Sequence, residues 1–162
     1  IAAEAAKHLK PVLLELGGKA PLVILDDADL DGAVNAAAFG AFMNQGQICM
    51  STERIIVADS IADAFVEKFT AKAASLSHGD PRGQVILGSV VSRATIEKVD
   101  ELVRDAAGAG AQVTTGGATY GTIMPATIVD RVTPDMRLFH EESFGPVVCV
   151  VRARDTDHAV EL

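Results

Sequence analysis

Asn44-Gln45-Gly46-Gln47-Ile48-Cys49-Met50-Ser51-Thr52-Glu53 is the stretch from which the rest of the chain is read. Before it, Leu30, Ala33, Val34, Ala37, Ala38, Ala41 and Phe42 recur as one apolar stripe at helical spacing. After it, Arg54–Val57 is a short apolar run rich in β-branched residues, which reads as a strand. The cysteine therefore sits at a helix-to-strand junction, in a loop opened by a glycine. A thiol is reactive as its thiolate and needs access and a favourable field, and such a junction supplies the access. A lone cysteine is more often a small buried residue, so the weight of the argument falls on its surroundings.

Working outward, apolar runs alternate with helical patterns. Ile1–Leu9 reads as the last turns of a helix stopped by Pro11, and Val12–Leu14 as a short buried strand. Leu22–Leu25 is a second strand, and Asp26, Asp27 and Asp29 offer caps for the helix that follows. Asp59 or Ser60 is expected to cap a helix carrying Ile61, Phe65, Phe69, Ala73 and Leu76. Ser77–Gly88 reads as a surface loop. Ser92 opens a helix with Ile96, Val99, Leu102, Val103 and Ala106 facing inward. Gln112–Thr115, Ala126–Val129 and Val147–Val151 are further strands, Pro134–Phe139 a loop, and Asp155 the cap of a last helix. This alternation predicts an α/β fold, a mostly parallel sheet flanked by helices.

Composition narrows the function. Of 162 residues 49% are hydrophobic and 22% charged, enough for a packed core, and the net charge of −8 argues against a nucleic-acid or anionic-membrane surface. No apolar run approaches the roughly 18 residues of a membrane span. The start lacks the apolar core of a signal peptide, and two cysteines make no disulfide framework. Reduced thiols and a cytoplasmic location are expected. The chain begins without Met and ends inside a helical pattern, so both ends read as cut. There is no Cys/His cluster with metal-ligand spacing, no Gly-x-Gly-x-x-Gly after a strand and no phosphate loop. His8, His78, His140 and His158 fall at element ends or in polar loops, which disfavours a Cys-His pair.

Three features carry chemistry. Glu15 ends an apolar run and is followed by Gly17-Gly18, which permits a tight turn or close approach to a ligand. Cys49 occupies the glycine-containing loop. Glu142 lies in Glu141-Glu142-Ser143-Phe144-Gly145-Pro146, just before a strand. A cysteine with a carboxylate can act as nucleophile and general base. The end of an apolar run predicts a partly desolvated Glu15, which suits a base. Cys149, inside Val147-Val148-Cys149-Val150-Val151, is expected to be an inert core residue.

These segments, Glu15-Leu16-Gly17-Gly18-Lys19, Gly46-Gln47-Ile48-Cys49 and Glu142-Ser143-Phe144-Gly145-Pro146, resemble three signature segments of the aldehyde dehydrogenase superfamily, in the same order. The 34-residue step from Glu15 to Cys49 also matches. Phe42–Val57 looks most like the bacterial aromatic-aldehyde branch. The resemblance implies an oxidoreductase that converts an aldehyde, of the aromatic class, to its carboxylate with NAD, or alternatively NADP. It implies that Cys49 forms a thiohemiacetal and then a thioester, and that Glu15 activates the hydrolytic water. It implies that Leu16, Glu142 and Phe144 bind the cofactor, that Ile48 and Met50 line the substrate pocket, and that the protein is a homo-oligomer, dimer or tetramer.

The resemblance also implies what is missing. The family is about three times longer, and residues 1–18 correspond to the end of its cofactor-binding domain and 19–162 to part of its catalytic domain. The expected fragment is inactive alone. Three alternatives follow: a non-catalytic fragment or interaction module of the same fold, a coenzyme-A-acylating dehydrogenase, and a cysteine hydrolase using Cys49 with Glu15. Acylating relatives typically lack the glutamate matched by Glu15, and the hydrolase lacks a placed histidine.

Overall fold

The computed structural model describes residues 1–162. The elements in chain order are α1 (Ala2–Ala6), β1 (Pro21–Ile24), α2 (Leu30–Phe42), β2 (Arg54–Ala58), α3 (Asp59–Ala74), α4 (Arg93–Gly108), β3 (Gln112–Thr115), β4 (Thr127–Asp130), α5 (Arg137–His140), β5 (Val147–Ala153) and α6 (Thr156–Glu161). The strands form one sheet in the order β1-β2-β5-β4-β3. β1, β2, β5 and β4 run parallel, and only β3 is antiparallel, at an edge. No helix is long and apolar enough to cross a membrane.

Side chains alternate across a strand, so each central strand feeds two cores. Ile55 and Val57 of β2, Val148 and Val150 of β5 and Ile128 of β4 pack under α2 and α3. Ile56, Val129, Val147, Cys149 and Val151 face the other way, under α4, α5 and α6. Being buried on both faces explains why these strands read as continuous apolar runs. On the first face Phe65 and Phe69 stack at 5.3 Å between ring centroids, and Phe42 meets Phe69 at 6.0 Å. Ala37, Ala38 and Ala41 are buried there as well, and their small side chains let α2 lie close to its neighbours.

Several caps and bounds match their sequence signals. The Asp29 carboxylate accepts from the Asp31 and Gly32 amides, Ser92 Oγ from Thr95, and Asp155 from His158. Others differ. α3 has no side-chain cap, because β2 runs directly into it with Ala58 as the cap residue, so neither Asp59 nor Ser60 fills that role. Pro134–Phe139 is not all loop, since Arg137–His140 forms a helical turn that buries Leu138 and Phe139. Leu87, within the polar Ser77–Gly88 stretch, is fully buried.

The strand expected over Val12–Leu14 does not form. Residues 10–20 hold no regular structure, and Val12, Leu13 and Leu14 are exposed at 46%, 89% and 40%. A strand exists by pairing, and no other strand of this chain lies against this segment.

Cys149 is the core residue its context predicts. It is wholly buried, and burial pushes its thiol from 9.0 up to about 11. Its folded-state value lies above its unfolded one, so this thiol favours the fold below pH 9.0, and that contribution is lost as pH rises toward about 11. Denaturant titrations of the protein and of Cys149→Ala should therefore diverge with pH. Between these two values the parent should lose up to about 3 kcal/mol more than the variant. Parallel curves would show that Cys149 does not titrate with unfolding.

Candidate active site

Three loops meet at one edge of the sheet. Glu15–Lys19 leads into β1, Gln47–Glu53 into β2, and Glu142–Gly145 into β5. β1, β2 and β5 are successive parallel neighbours, so their entry loops must lie side by side. Pro21 pairs with Arg54, and Arg54 with Cys149, so the register brings the loops level. Ligands in open parallel sheets usually bind at the carboxyl ends of strands. Here the candidate residues gather at the amino ends.

The Cys49 loop is a strained turn held by its own amides. Asn44 and Gln45 adopt left-handed φ of 51° and 56°, and Gly46 follows at 70°. Each left-handed non-glycine residue costs about 1–2 kcal/mol, so restraint from outside is needed. Asn44 Nδ2 donates to the Gln47 carbonyl, and Gln47 Nε2 to that of Asn44. Gln47 Oε1 accepts from the Val91 amide at 2.8 Å, which pins the loop to the segment before α4. The Thr52 amide closes onto the Gly40 carbonyl of α2. Beyond the turn Cys49 is exposed, and the amides of Ile48, Cys49 and Met50 donate to no acceptor within the protein. Unpaired backbone N–H groups beside a thiol are the donors an oxyanion needs.

Glu15, Leu16, Gly17, Cys49, Glu142 and Phe144 line one open cleft of about 430 Å³. Five of the seven candidate residues thus converge. Ile48 is half-buried and Met50 is 78% exposed, and neither borders this cleft. Glu15 is exposed, so the partial desolvation expected of it is absent along with the strand that was to supply it. Glu142 Oε1 accepts from the Gly18 amide at 3.0 Å. That approach depends on Gly17, where a Cβ would stand 2.4 Å from the same carboxylate and where φ is +85°. A second apolar hollow of about 400 Å³ lies at the end of α2, with Phe39 and Met43 exposed on it at 67% and 51%.

Glu53 and Lys19 carry no chemistry in a sequence reading, yet they join the three loops. Lys19 Nζ lies 2.6 Å from Glu53 Oε2, with side chains 9% and 5% exposed. The same carboxylate accepts from the Ser143 amide at 2.8 Å, from Ser143 Oγ at 2.9 Å and from the Phe144 amide at 3.0 Å. Phe144 is held at φ 51°, another left-handed residue that needs restraint. The available signal was a shared spacing: Lys19 and Glu53 stand 34 residues apart, as Glu15 and Cys49 do.

An exposed thiol with its own unpaired backbone amide, and carboxylates facing the same cleft, are the parts of a covalent-catalysis site. The profile of the aldehyde dehydrogenase family matches residues 1–162, and the chain belongs to that family. It is 54% identical over 164 residues to a salicylaldehyde dehydrogenase of Pseudomonas putida, covering 100% of this chain and 34% of that protein. It is 52% identical over 159 residues to a vanillin dehydrogenase of Pseudomonas fluorescens, covering 98% and 33%. Among solved structures, a salicylaldehyde dehydrogenase from Pseudomonas putida G7 complexed with salicylaldehyde superposes with a TM-score of 0.94 at 51% identity, covering 99% of this chain and 34% of that one. A lactaldehyde dehydrogenase from Escherichia coli gives 0.94 at 36%, covering 99% and 35%. The chain therefore spans about a third of the length of these relatives.

Gly46 tests the loop. A Cβ there would stand 2.2 Å from the Gly145 carbonyl oxygen, and φ is +70°. Gly46→Ala should cost more than about 2 kcal/mol in denaturant titration. Gly108→Ala, in α4 with nothing within 4 Å of the added carbon, should be neutral or stabilising by up to about 1 kcal/mol. Equal effects would mean the Gly46 contact does not hold the loop in place.

Proposed function

We propose that this chain is the nucleophile-bearing part of an NAD(P)-dependent aldehyde dehydrogenase that oxidises aromatic aldehydes to carboxylates. The observation that carries the proposal is the convergence of Glu15, Cys49, Glu142 and Phe144 on one cleft. The aromatic class rests on relatives named for salicylaldehyde and vanillin, and on the apolar Phe39, Met43 and Met50 exposed around the nucleophile loop. Residues 1–18 are assigned to the end of a cofactor-binding domain, in keeping with their unpaired, exposed apolar side chains. Residues 19–162 are assigned to a catalytic domain. A cytoplasmic homo-oligomer is the assembly proposed for the whole protein.

In this reading the Cys49 thiolate adds to the aldehyde carbon, and the carbonyl electrons move onto oxygen as a thiohemiacetal oxyanion. The Cys49 amide, free of protein acceptors, donates to that oxygen. The residues facing the cleft suit a nicotinamide riboside. Leu16 and Phe144 offer apolar surface for a flat ring, Glu142 an acceptor for ribose hydroxyls, and Gly17-Gly18 an uncovered backbone. When bound, the nicotinamide supplies the hydride acceptor. As the oxyanion collapses to a carbonyl, the C–H bond of the former aldehyde carbon breaks, the hydrogen leaves as hydride, and a thioester remains on Cys49. Glu15 then takes a proton from water, the hydroxide adds to the thioester carbon, and the C–S bond breaks to return the thiolate and the acid. Met50 and Ile48 flank the nucleophile on the substrate side.

The test uses the intact protein with salicylaldehyde and NAD or NADP, following absorbance of the reduced cofactor. Cys49→Ser should abolish turnover. Glu15→Gln should give about one equivalent of reduced cofactor per site and then run about 100- to 10,000-fold slower, because only the general-base step is impaired. Full turnover by Cys49→Ser would sink the reading. Acyl-CoA formed in preference to free acid on adding coenzyme A to the unaltered protein would instead favour the acylating alternative. A preparation of residues 1–162 alone should show no turnover at the intact protein's rate.

A further inference from the structure

We infer that Glu53, paired with Lys19, is a positioning residue that holds the Glu142–Phe144 loop in its cofactor-binding conformation and thereby sets cofactor affinity. The inference rests on the proposed function for the roles of Glu142 and Phe144. Both flank Ser143, whose amide and hydroxyl donate to the Glu53 carboxylate. Phe144 keeps its left-handed φ of 51° while its amide donates to Glu53 Oε1 at 3.0 Å. A non-glycine residue released from such restraint relaxes to negative φ and re-aims its side chain.

The chemistry demands a carboxylate. Oε1 accepts from the Ser143 and Phe144 amides, and Oε2 from the Ser143 amide, Ser143 Oγ and Lys19 Nζ. Every partner is a donor or can act as one. A glutamine must turn its NH2 either toward the two amides or toward the lysine, and each choice sets donor against donor. Lys19 supplies the counter-charge that a carboxylate buried to 4% exposure requires.

The anchoring is one-sided. Glu53 belongs to the Cys49 loop, which is independently fixed through Gln47 to Val91, through Thr52 to Gly40 and through β2 itself. The Ser143–Phe144 amides have no other acceptor within the protein. Loss of the carboxylate therefore frees the Ser143 and Phe144 amides, while Glu142 keeps its bond from the Gly18 amide and the Cys49 loop keeps its own ties.

The experiment compares Glu53→Gln, Lys19→Met and Ser143→Ala with the parent in the intact protein. Three readouts are taken: NAD and NADP affinity by calorimetry, amide exchange by peptide, and the iodoacetamide rate of Cys49 without cofactor. Glu53→Gln should weaken cofactor binding about tenfold and speed exchange selectively at Ser143–Phe144, the release of one strained residue being of that order. Cys49 alkylation should stay within about twofold. Lys19→Met and Ser143→Ala should move the same readouts in the same direction by less, and they carry the test if Glu53→Gln does not fold. Cofactor affinity unchanged in every folded variant overturns the inference. So does exchange rising across the whole sheet together with Cys49 reactivity, which would mark a merely structural role. If the parent binds neither cofactor, the reading of Glu142 and Phe144 fails. Selective exchange at Ser143–Phe144 still decides whether Glu53 holds the loop.

Discussion

A carboxylate taken out of water loses several hydrogen bonds and must find as many inside the protein. Glu53 does so by drawing together the entry loops of three strands: its own before β2, Lys19 before β1, and Ser143 with Phe144 before β5. Buried ion pairs seldom add much net stability over a well-packed apolar alternative. What this one adds is geometry, because no shift of register can satisfy these donors with the same carboxylate. The Glu53–Lys19 pair thus ties together the three loops whose residues line the cleft holding Cys49 and Glu142.

That constraint works together with parallel pairing. β1, β2 and β5 are neighbours although the chain between β2 and β5 passes through α3, α4, β3, β4 and α5. Parallel strands put all their starts at one edge, so residues more than a hundred positions apart become neighbours there. The two cores on either side of the sheet keep the strands in that order, with α2 and α3 on one face and α4, α5 and α6 on the other. Backbone strain is concentrated at the same edge. Asn44, Gln45 and Phe144 account for three of the five non-glycine residues with positive φ. A side chain holds the backbone of two of them, Gln47 at Asn44 and Glu53 at Phe144, so the folding energy of the cores is spent at the loops that line the cleft.

Periodicity was enough to find α2, β2, α4 and β5, because each is long or apolar enough for burial to dominate local preference. It misjudged Val12–Leu14 and Pro134–Phe139. In the first case an apolar run has no strand to pair with. In the second, Leu138 and Phe139 are pulled into a helical turn by the core beneath α4. Asp59 and Ser60 look like caps, but no loop separates β2 from α3 and so no cap site exists.

The sequence by itself determined the alternation that makes an α/β sheet, the buried core setting of Cys149, and the three segments whose residues meet at one cleft, since each of these stands out by residue type and local spacing. Only the tertiary structure decided that Glu53 and Lys19 are buried partners, that Glu15 stands exposed, and that Ile48 and Met50 lie off the cleft shared by Cys49 and Glu142. Burial and pairing are properties of what lies alongside. What lies alongside is fixed by strand order and register, which no local pattern encodes.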